Sequence, residues 1–360
     1  MENDAINLSQ GYPDYDCPKE LKELLSWYVE RGYNQYAPLA GVPELRVQCA
    51  KKIFRHYGLE IDCDNEITIT PGATEAIYCA ITAVVKSGDE VIMFDPVYDC
   101  YDPAVRLSGG RPVHICLEAP GYKIDWDVVR STVSERTRAI IINSPHNPTG
   151  VILNSSDLET LSKIANQNDI IVISDEVYEH LVFDSEKHES VLSHPELAKR
   201  SFAIFSFGKT YGVTGWKTGY VVGSTLLTRE LRRVHQFVTF VACTPLQYAL
   251  AEFMKKYEGY TDSLKPFYQS KRDLFLKELG GSLLKFIPSE GTFFQLVDYS
   301  EISTGSDVDF VEFLTKKIGV AAIPTSVFYE TPPEQQVIRL CFCKEDDTLK
   351  RAANRLANIK

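Results

Sequence analysis

The segment Ser206-Phe207-Gly208-Lys209-Thr210-Tyr211-Gly212-Val213-Thr214-Gly215-Trp216-Lys217-Thr218-Gly219 holds two lysines eight positions apart, each among small residues, directly after the apolar run Phe202–Phe207. Such a pair can supply one amine for covalent chemistry and a second cation for an anion. A lysine withdrawn from water favours its neutral amine, and a neutral amine attacks carbonyls to form a Schiff base. Lysines beside glycine also sit in ordinary solvated turns, so the surrounding residues decide between the two readings.

Four further loops carry compatible groups. Pro71-Gly72-Ala73-Thr74-Glu75 lies between an apolar strand and a helix, where small residues and a helix N-terminus can cradle a phosphate; a capping turn with Thr74 as N-cap is the alternative. Asp175 ends the apolar run Asp169–Ser174, a place where a carboxylate needs a cation or a donor unless it serves as a helix cap, and Tyr178 follows one turn later. Asn147 precedes Pro148 in a turn where a cis bond is accessible, and Tyr98 in Asp95-Pro96-Val97-Tyr98 is placed to stack on a flat ring or to fill the core under a loop. Arg339 is a guanidinium within the otherwise apolar run Val337–Cys343, which suits either a small carboxylate ligand or a structural salt bridge. Together, a Schiff-base lysine, a phosphate cradle, a buried carboxylate, hydrogen-bonding Asn and Tyr, a stacking Tyr and a carboxylate-binding Arg fit pyridoxal 5'-phosphate acting on an amino acid.

These residues need elements to hold them. Short β-branched runs (66–70, 90–94, 139–143, 170–174 and 201–206) alternate with helical patterns (75–86, 156–166), which predicts a mostly parallel sheet in an α/β domain. Ligands of such sheets bind beyond the carboxyl ends of the strands, so the loops above should converge on one crevice. Beyond residue 259 an amphipathic helix over 263–279, strands at 293–297 and 337–342 and a final charged helix from 346 read as a smaller α+β domain, with 231–256 as a helical connection. The boundaries read as 35–258 for the large domain and 1–34 plus 259–360 for the small one.

Composition excludes several classes. At 360 residues, 44% hydrophobic and 24% charged, the chain is an ordinary globular protein, and a net charge of −11 argues against a nucleic-acid or anionic-membrane partner. Nine cysteines without a Cys-x-x-Cys pair read as a reduced complement, not a disulfide framework or metal site, and strand alternation places Cys341 and Cys343 on one face. Without a charged leader and apolar stretch at residues 1–7, the chain reads as cytoplasmic.

The sequence resembles the class I/II, fold-type I aminotransferases, and among them most resembles the methionine, glutamine and kynurenine transaminases. The likeness runs through Asn7-Leu-Ser-Gln-Gly-Tyr-Pro-Asp14, Asn34-Gln-Tyr-Ala-Pro38, Pro71–Thr74, Ser144–Gly150, Ser174–Tyr178, Ser206–Lys209, Glu290–Phe294 and Ile338–Phe342, in order. It implies that Lys209 carries the cofactor as a Schiff base and shuttles the Cα proton, and that Asp175 pairs with the ring nitrogen. It implies that Asn147 and Tyr178 bond the phenolic oxygen and that Tyr98 stacks on the ring. Gly72, Ala73, Thr74, Ser206 and Lys217 would hold the phosphate, with Tyr36 reaching it from the other subunit of a homodimer. Arg339, with Gly11, would bind the substrate carboxylate and release a 2-oxo acid after transfer. Aspartate-specific relatives add an arginine over the substrate side chain, whereas Val238–Pro245 has none. A carboxylate side chain is therefore disfavoured, and the aromatics Tyr12, Tyr15, Phe240 and Phe328 predict a neutral or aromatic pocket suited to methionine, phenylalanine, kynurenine or glutamine. A β-lyase for cysteine conjugates or cystathionine is the alternative within the same chemistry. A non-catalytic regulatory module is the alternative outside it, disfavoured by intact Lys209, Asp175 and Arg339. Where the family carries a longer N-terminal arm, this sequence begins almost at the Gly11 loop.

Overall fold

The computed structural model describes residues 4–359. Residues 1–3 and 360, which the expected small domain and the leader reading include, lie outside the described residues. Seven strands form the main sheet in the order Ile67–Thr70, Gly219–Gly223, Ser201–Ser206, Ile171–Asp175, Thr137–Asn143, Glu90–Asp95, Arg111–Cys116. Gly219–Gly223 runs antiparallel to both of its neighbours, and the rest are parallel, giving the mostly parallel α/β sheet of the fold-type I enzymes.

Strand alternation sends successive residues to opposite faces, and each face has its own core. Ile140, Ile142, Val172, Ala203 and Phe205 face the larger core. Ala139, Ile141, Ile171, Ile173, Phe202 and Ile204 face another, under the helices Ala73–Val84 and Thr225–Val238. Buried apolar side chains on both faces explain why these runs read as continuously hydrophobic.

A separate core joins Ile6 and Leu8 to the helices Leu264–Leu279 and Asp346–Ala357 and to a three-stranded sheet of Ile323–Pro324, Val337–Cys341 and Phe294–Asp298. Leu181 and Phe183, from the middle of the chain, complete it. The helix Lys19–Glu30 behaves differently from its neighbours in sequence. Its Leu21 is buried in the large core, and Tyr28 stacks on Tyr248 at 5.4 Å.

Two expectations needed refinement. The connection read over 231–256 is two helices, Thr225–Val238 and Thr244–Lys256, broken where Phe240 takes φ +75° and where Pro245 sits in a first turn. The stretch between the runs 90–94 and 139–143, to which the sequence pattern assigns no element, holds the short helix Tyr101–Leu107, and the strand after it, Arg111–Cys116, is an edge strand whose exposure hides its pattern. Among the described residues no helix is long and apolar enough to cross a membrane.

Candidate active site

Register brings the chemistry together. Asn143 and Asp175 are paired positions at the carboxyl ends of adjacent parallel strands, and Ser206 ends the next strand along. The loops leaving these ends close around a cavity of about 240 Å³. Lys209, Asp175, Tyr178, Asn147, Tyr98 and Arg339 line it, as do Gly11, Gly72, Ala73, Thr74, Ser206 and Lys217.

At one end of the cavity Asp175 is buried, 4% exposed, with no Lys, Arg or His in ion-pair range among the described residues. Its Oδ2 accepts the hydroxyl of Tyr101 at 2.6 Å, and its Oδ1 accepts the Val177 amide at 3.3 Å. Burial pushes this carboxyl up to about 6, against the pull of the Tyr101 hydrogen bond.

At the centre, the short helix Phe207–Thr210 begins with Ser206 as its cap and presents Lys209. The Lys209 amine donates to the Gly11 carbonyl at 3.0 Å and faces the rings of Phe293 and Tyr178 at 5.0 and 5.5 Å. Burial pushes it down to about 8, because apolar rings replace the water that would stabilise the ammonium.

The opposite end is built for an anion. The helix Ala73–Val84 starts at Gly72 with no side-chain cap, so its first N–H groups remain free, and Gly72 holds φ +84°. Lys217 adopts the left-handed conformation at φ +47°, and its side chain runs past the Gly72 backbone. Gly219 lets the two segments meet, since a Cβ there would lie 2.6 Å from the Phe205 carbonyl and 3.0 Å from the Ala73 amide.

Arg339 is buried over the remaining wall. Nη1 donates to Asn147 Oδ1 at 2.8 Å and Nη2 to the Ser9 carbonyl at 3.0 Å, while Nε is buried without a partner. Its guanidinium lies 4.0 Å from the Phe294 ring centroid and 5.1 Å from that of Phe328. No acidic group comes within ion-pair distance among the described residues, and burial lowers its proton affinity.

Five expected residues lie off the cavity wall, among them Tyr15, edge-on to Phe267 at 5.4 Å, and Phe240, 38% exposed. Phe328 packs against the Arg339 guanidinium but is not part of the cavity lining. Tyr12 is 41% exposed beside Lys344, and Tyr36 is 83% exposed, edge-on to Phe240 at 5.4 Å. A single chain therefore leaves Tyr36 outside its own site. Sequence reasoning missed Tyr101, Asn143 and Phe294. Asn143 closes the strand ends by donating to the Asp175 carbonyl at 2.9 Å and accepting the Asn147 amide at 2.8 Å. Its place as a polar residue ending an apolar strand was the available signal. The Asn147–Pro148 bond is cis, the geometry expected for that turn.

The arrangement fits pyridoxal phosphate. A buried carboxylate without an ion-pair partner among the described residues would suit a ring cation, an amine whose proton affinity burial lowers would suit an aldehyde, and uncapped amides with Lys217 would suit a phosphate. Arg339, with an unpaired Nε, awaits a carboxylate.

The sequence model for aminotransferase class I and II matches residues 3–356. The methionine aminotransferase of Escherichia coli (strain K12) is 49% identical over 359 residues, covering 100% of this chain and 93% of that protein. Human kynurenine–oxoglutarate transaminase 1 is 32% identical over 394 residues, covering 100% and 93%. The crystal structure of YbdL from Escherichia coli, for which a methionine aminotransferase function was identified, superposes with a TM-score of 0.97 at 49% identity, covering 99% of this chain and 94% of that one.

Proposed function

From the premise that this chain belongs to the class I and II aminotransferases and is a pyridoxal-phosphate-dependent transaminase, we propose that it moves the amino group of methionine or an aromatic amino acid to a 2-oxo acid. The observation that carries this reading is the cavity itself, in which an amine, a carboxylate and a guanidinium converge without counter-charges of their own.

When bound, the cofactor supplies a carbonyl for the substrate amine and a ring that takes up the electron pair left on Cα. Everything else belongs to the chain. Asp175 would keep the ring nitrogen protonated, and the uncapped amides of Ala73 and Thr74, with Ser206 and Lys217, would hold the phosphate. Asn147 and Tyr178, which line the cavity, would hold the phenolic oxygen, and Tyr98 would stack on the ring. Arg339 receives the substrate carboxylate together with the Gly11 segment and so fixes which Cα bond points at the lysine. The Lys209 Nζ, neutral for a useful fraction of the time near pH 8, would accept the Cα proton and deliver it to the carbon that was the cofactor's carbonyl carbon.

Methionine and aromatic side chains are favoured by the absence of arginine in Val238–Pro245 and by the aromatic residues Phe294 and Phe328 around Arg339. We further propose a homodimer in which Tyr36 of each copy completes the phosphate site of the other, supported by its exposure next to the exposed Phe237 and Phe240. The large domain is assigned to 35–258 and the small one to 1–34 with 259–360, a division that the separate cores support except at the helix Lys19–Glu30, whose Leu21 packs in the large core; the protein is assigned to the cytoplasm. A donor panel with one fixed 2-oxo acid tests the substrate reading. Methionine or an aromatic donor should exceed aspartate at least about tenfold in kcat/KM; a preference for aspartate would overturn it.

A further inference from the structure

We propose that Tyr101 is a positioning residue that holds Asp175 as an oriented anion for the cofactor's ring nitrogen, an assignment that rests on the aminotransferase reading. Tyr101 opens the helix Tyr101–Leu107 and is 3% exposed. Its hydroxyl donates to Asp175 Oδ2 at 2.6 Å, in the short range of hydroxyls on charged carboxylates. Among the described residues, the only other donor on the carboxylate is the Val177 amide at 3.3 Å.

The backbone at Asp175 is already fixed. Its carbonyl accepts both the Asn143 side chain at 2.9 Å and the Ser144 amide at 3.1 Å. What remains free is the side-chain torsion, and the Tyr101 hydroxyl is the group that sets it. The same hydroxyl stabilises the charged form. Asp175 is faced by Glu176 on its own turn, by Tyr98, Cys100 and Tyr101 from the loop and helix alongside, and by Lys209 from the helix beyond the next strand. Of these, Lys209 is the sole cation, and its amine is spent on the Gly11 carbonyl. Burial drives the Tyr101 phenol well above its ordinary value, so it stays a donor at every working pH.

Replacing Tyr101 by Phe keeps the ring and removes the hydrogen bond. Asp175 should then take up a proton at higher pH and pair less well with a ring cation. The test is the dissociation constant of pyridoxal phosphate, read from its absorbance, for the wild type and Tyr101→Phe between pH 6.5 and 8.5, each also in an Asp175→Asn background. The expected result is binding weakened by about tenfold or more at pH 6.5, the strength of a hydrogen bond to a charged group, with the ratio narrowing as pH rises and vanishing in the Asp175→Asn background. A ratio that is constant with pH, one that persists without the carboxylate, unchanged affinity, or a Tyr101→Phe chain that does not fold would each overturn the assignment. Wild-type protein that takes up no cofactor would instead overturn the aminotransferase reading.

Discussion

Arg339→Lys is expected to separate substrate binding from chemistry. The guanidinium has five N–H donors, of which one serves Asn147 and one serves Ser9, leaving Nε and two others for a ligand. Phe294 at 4.0 Å from the guanidinium limits its rotation. A substrate carboxylate taking two charge-assisted hydrogen bonds at about 1.5 kcal/mol each gains about 3 kcal/mol, which is roughly a hundredfold in affinity. Lysine keeps the charge but cannot form the fork. The half-reaction should be followed as a single turnover against methionine concentration. The half-saturating concentration should rise about a hundredfold while the limiting rate stays within about fivefold. 3-(Methylthio)propylamine, which lacks the carboxylate, should be a poor substrate for the wild type and suffer little further loss in the variant. A limiting rate that falls as far as the ratio of rate to saturation, or an amine used as well as methionine by the wild type, would refute the reasoning. Arg339→Met removes a buried cation that has no acidic partner among the described residues and should stabilise the cofactor-free protein by about 1 kcal/mol, read as a higher Tm.

Lys217→Ala should weaken pyridoxal phosphate at least about tenfold yet leave the affinity for phosphate-free pyridoxal unchanged, because the lost charge-assisted contact is to the phosphate alone; equal losses for both ligands would remove Lys217 from the cradle. Capture of cofactor by the cofactor-free protein should speed up with pH and reach half its maximum near 8, where the Lys209 amine loses its proton. Because that value lies below the roughly 10.4 of a free lysine, the unfolded chain binds the extra proton between the two, so this group adds stability as pH rises through that window. The Lys209→Ala protein should lack that increment. Mixing inactive Lys209→Ala with Tyr36→Ala chains should restore activity to about a quarter of wild type, since half the dimers are mixed and each of those has one intact site; no recovery would place Tyr36 outside the second subunit's site.

Much of the site was legible because each chemical residue follows an apolar strand whose direction is set by its pattern. Lys209, Asp175 and Asn147 are polar residues just beyond such strands, and parallel pairing forces those strand ends together. Arg339 was legible for the opposite reason, as a charge inside an apolar strand. Tyr101 was not, because Tyr98 and Tyr101 lie three residues apart in one turn, and only the start of the helix at Tyr101 decides which ring reaches Asp175 and which faces the cavity. Phe294 was hidden for a similar reason: an aromatic residue beginning a buried strand looks like core, and only its register opposite Cys341 sets it beneath Arg339. The strand Gly219–Gly223 also escaped the pattern, since its glycines give little hydrophobic signal although its neighbours need them for close approach. The helix Lys19–Glu30 shows what sequence order cannot say: it sits early in the chain, yet its buried Leu21 belongs to the large core.

We propose that Lys209 carries the cofactor and that Lys217 holds its phosphate. Purified protein should be yellow with added pyridoxal phosphate, and borohydride followed by peptide mapping should place one cofactor mass per chain on Lys209, with none in Lys209→Ala. Mass fixed on Lys217, or a protein that stays colourless and unlabelled, would contradict the account.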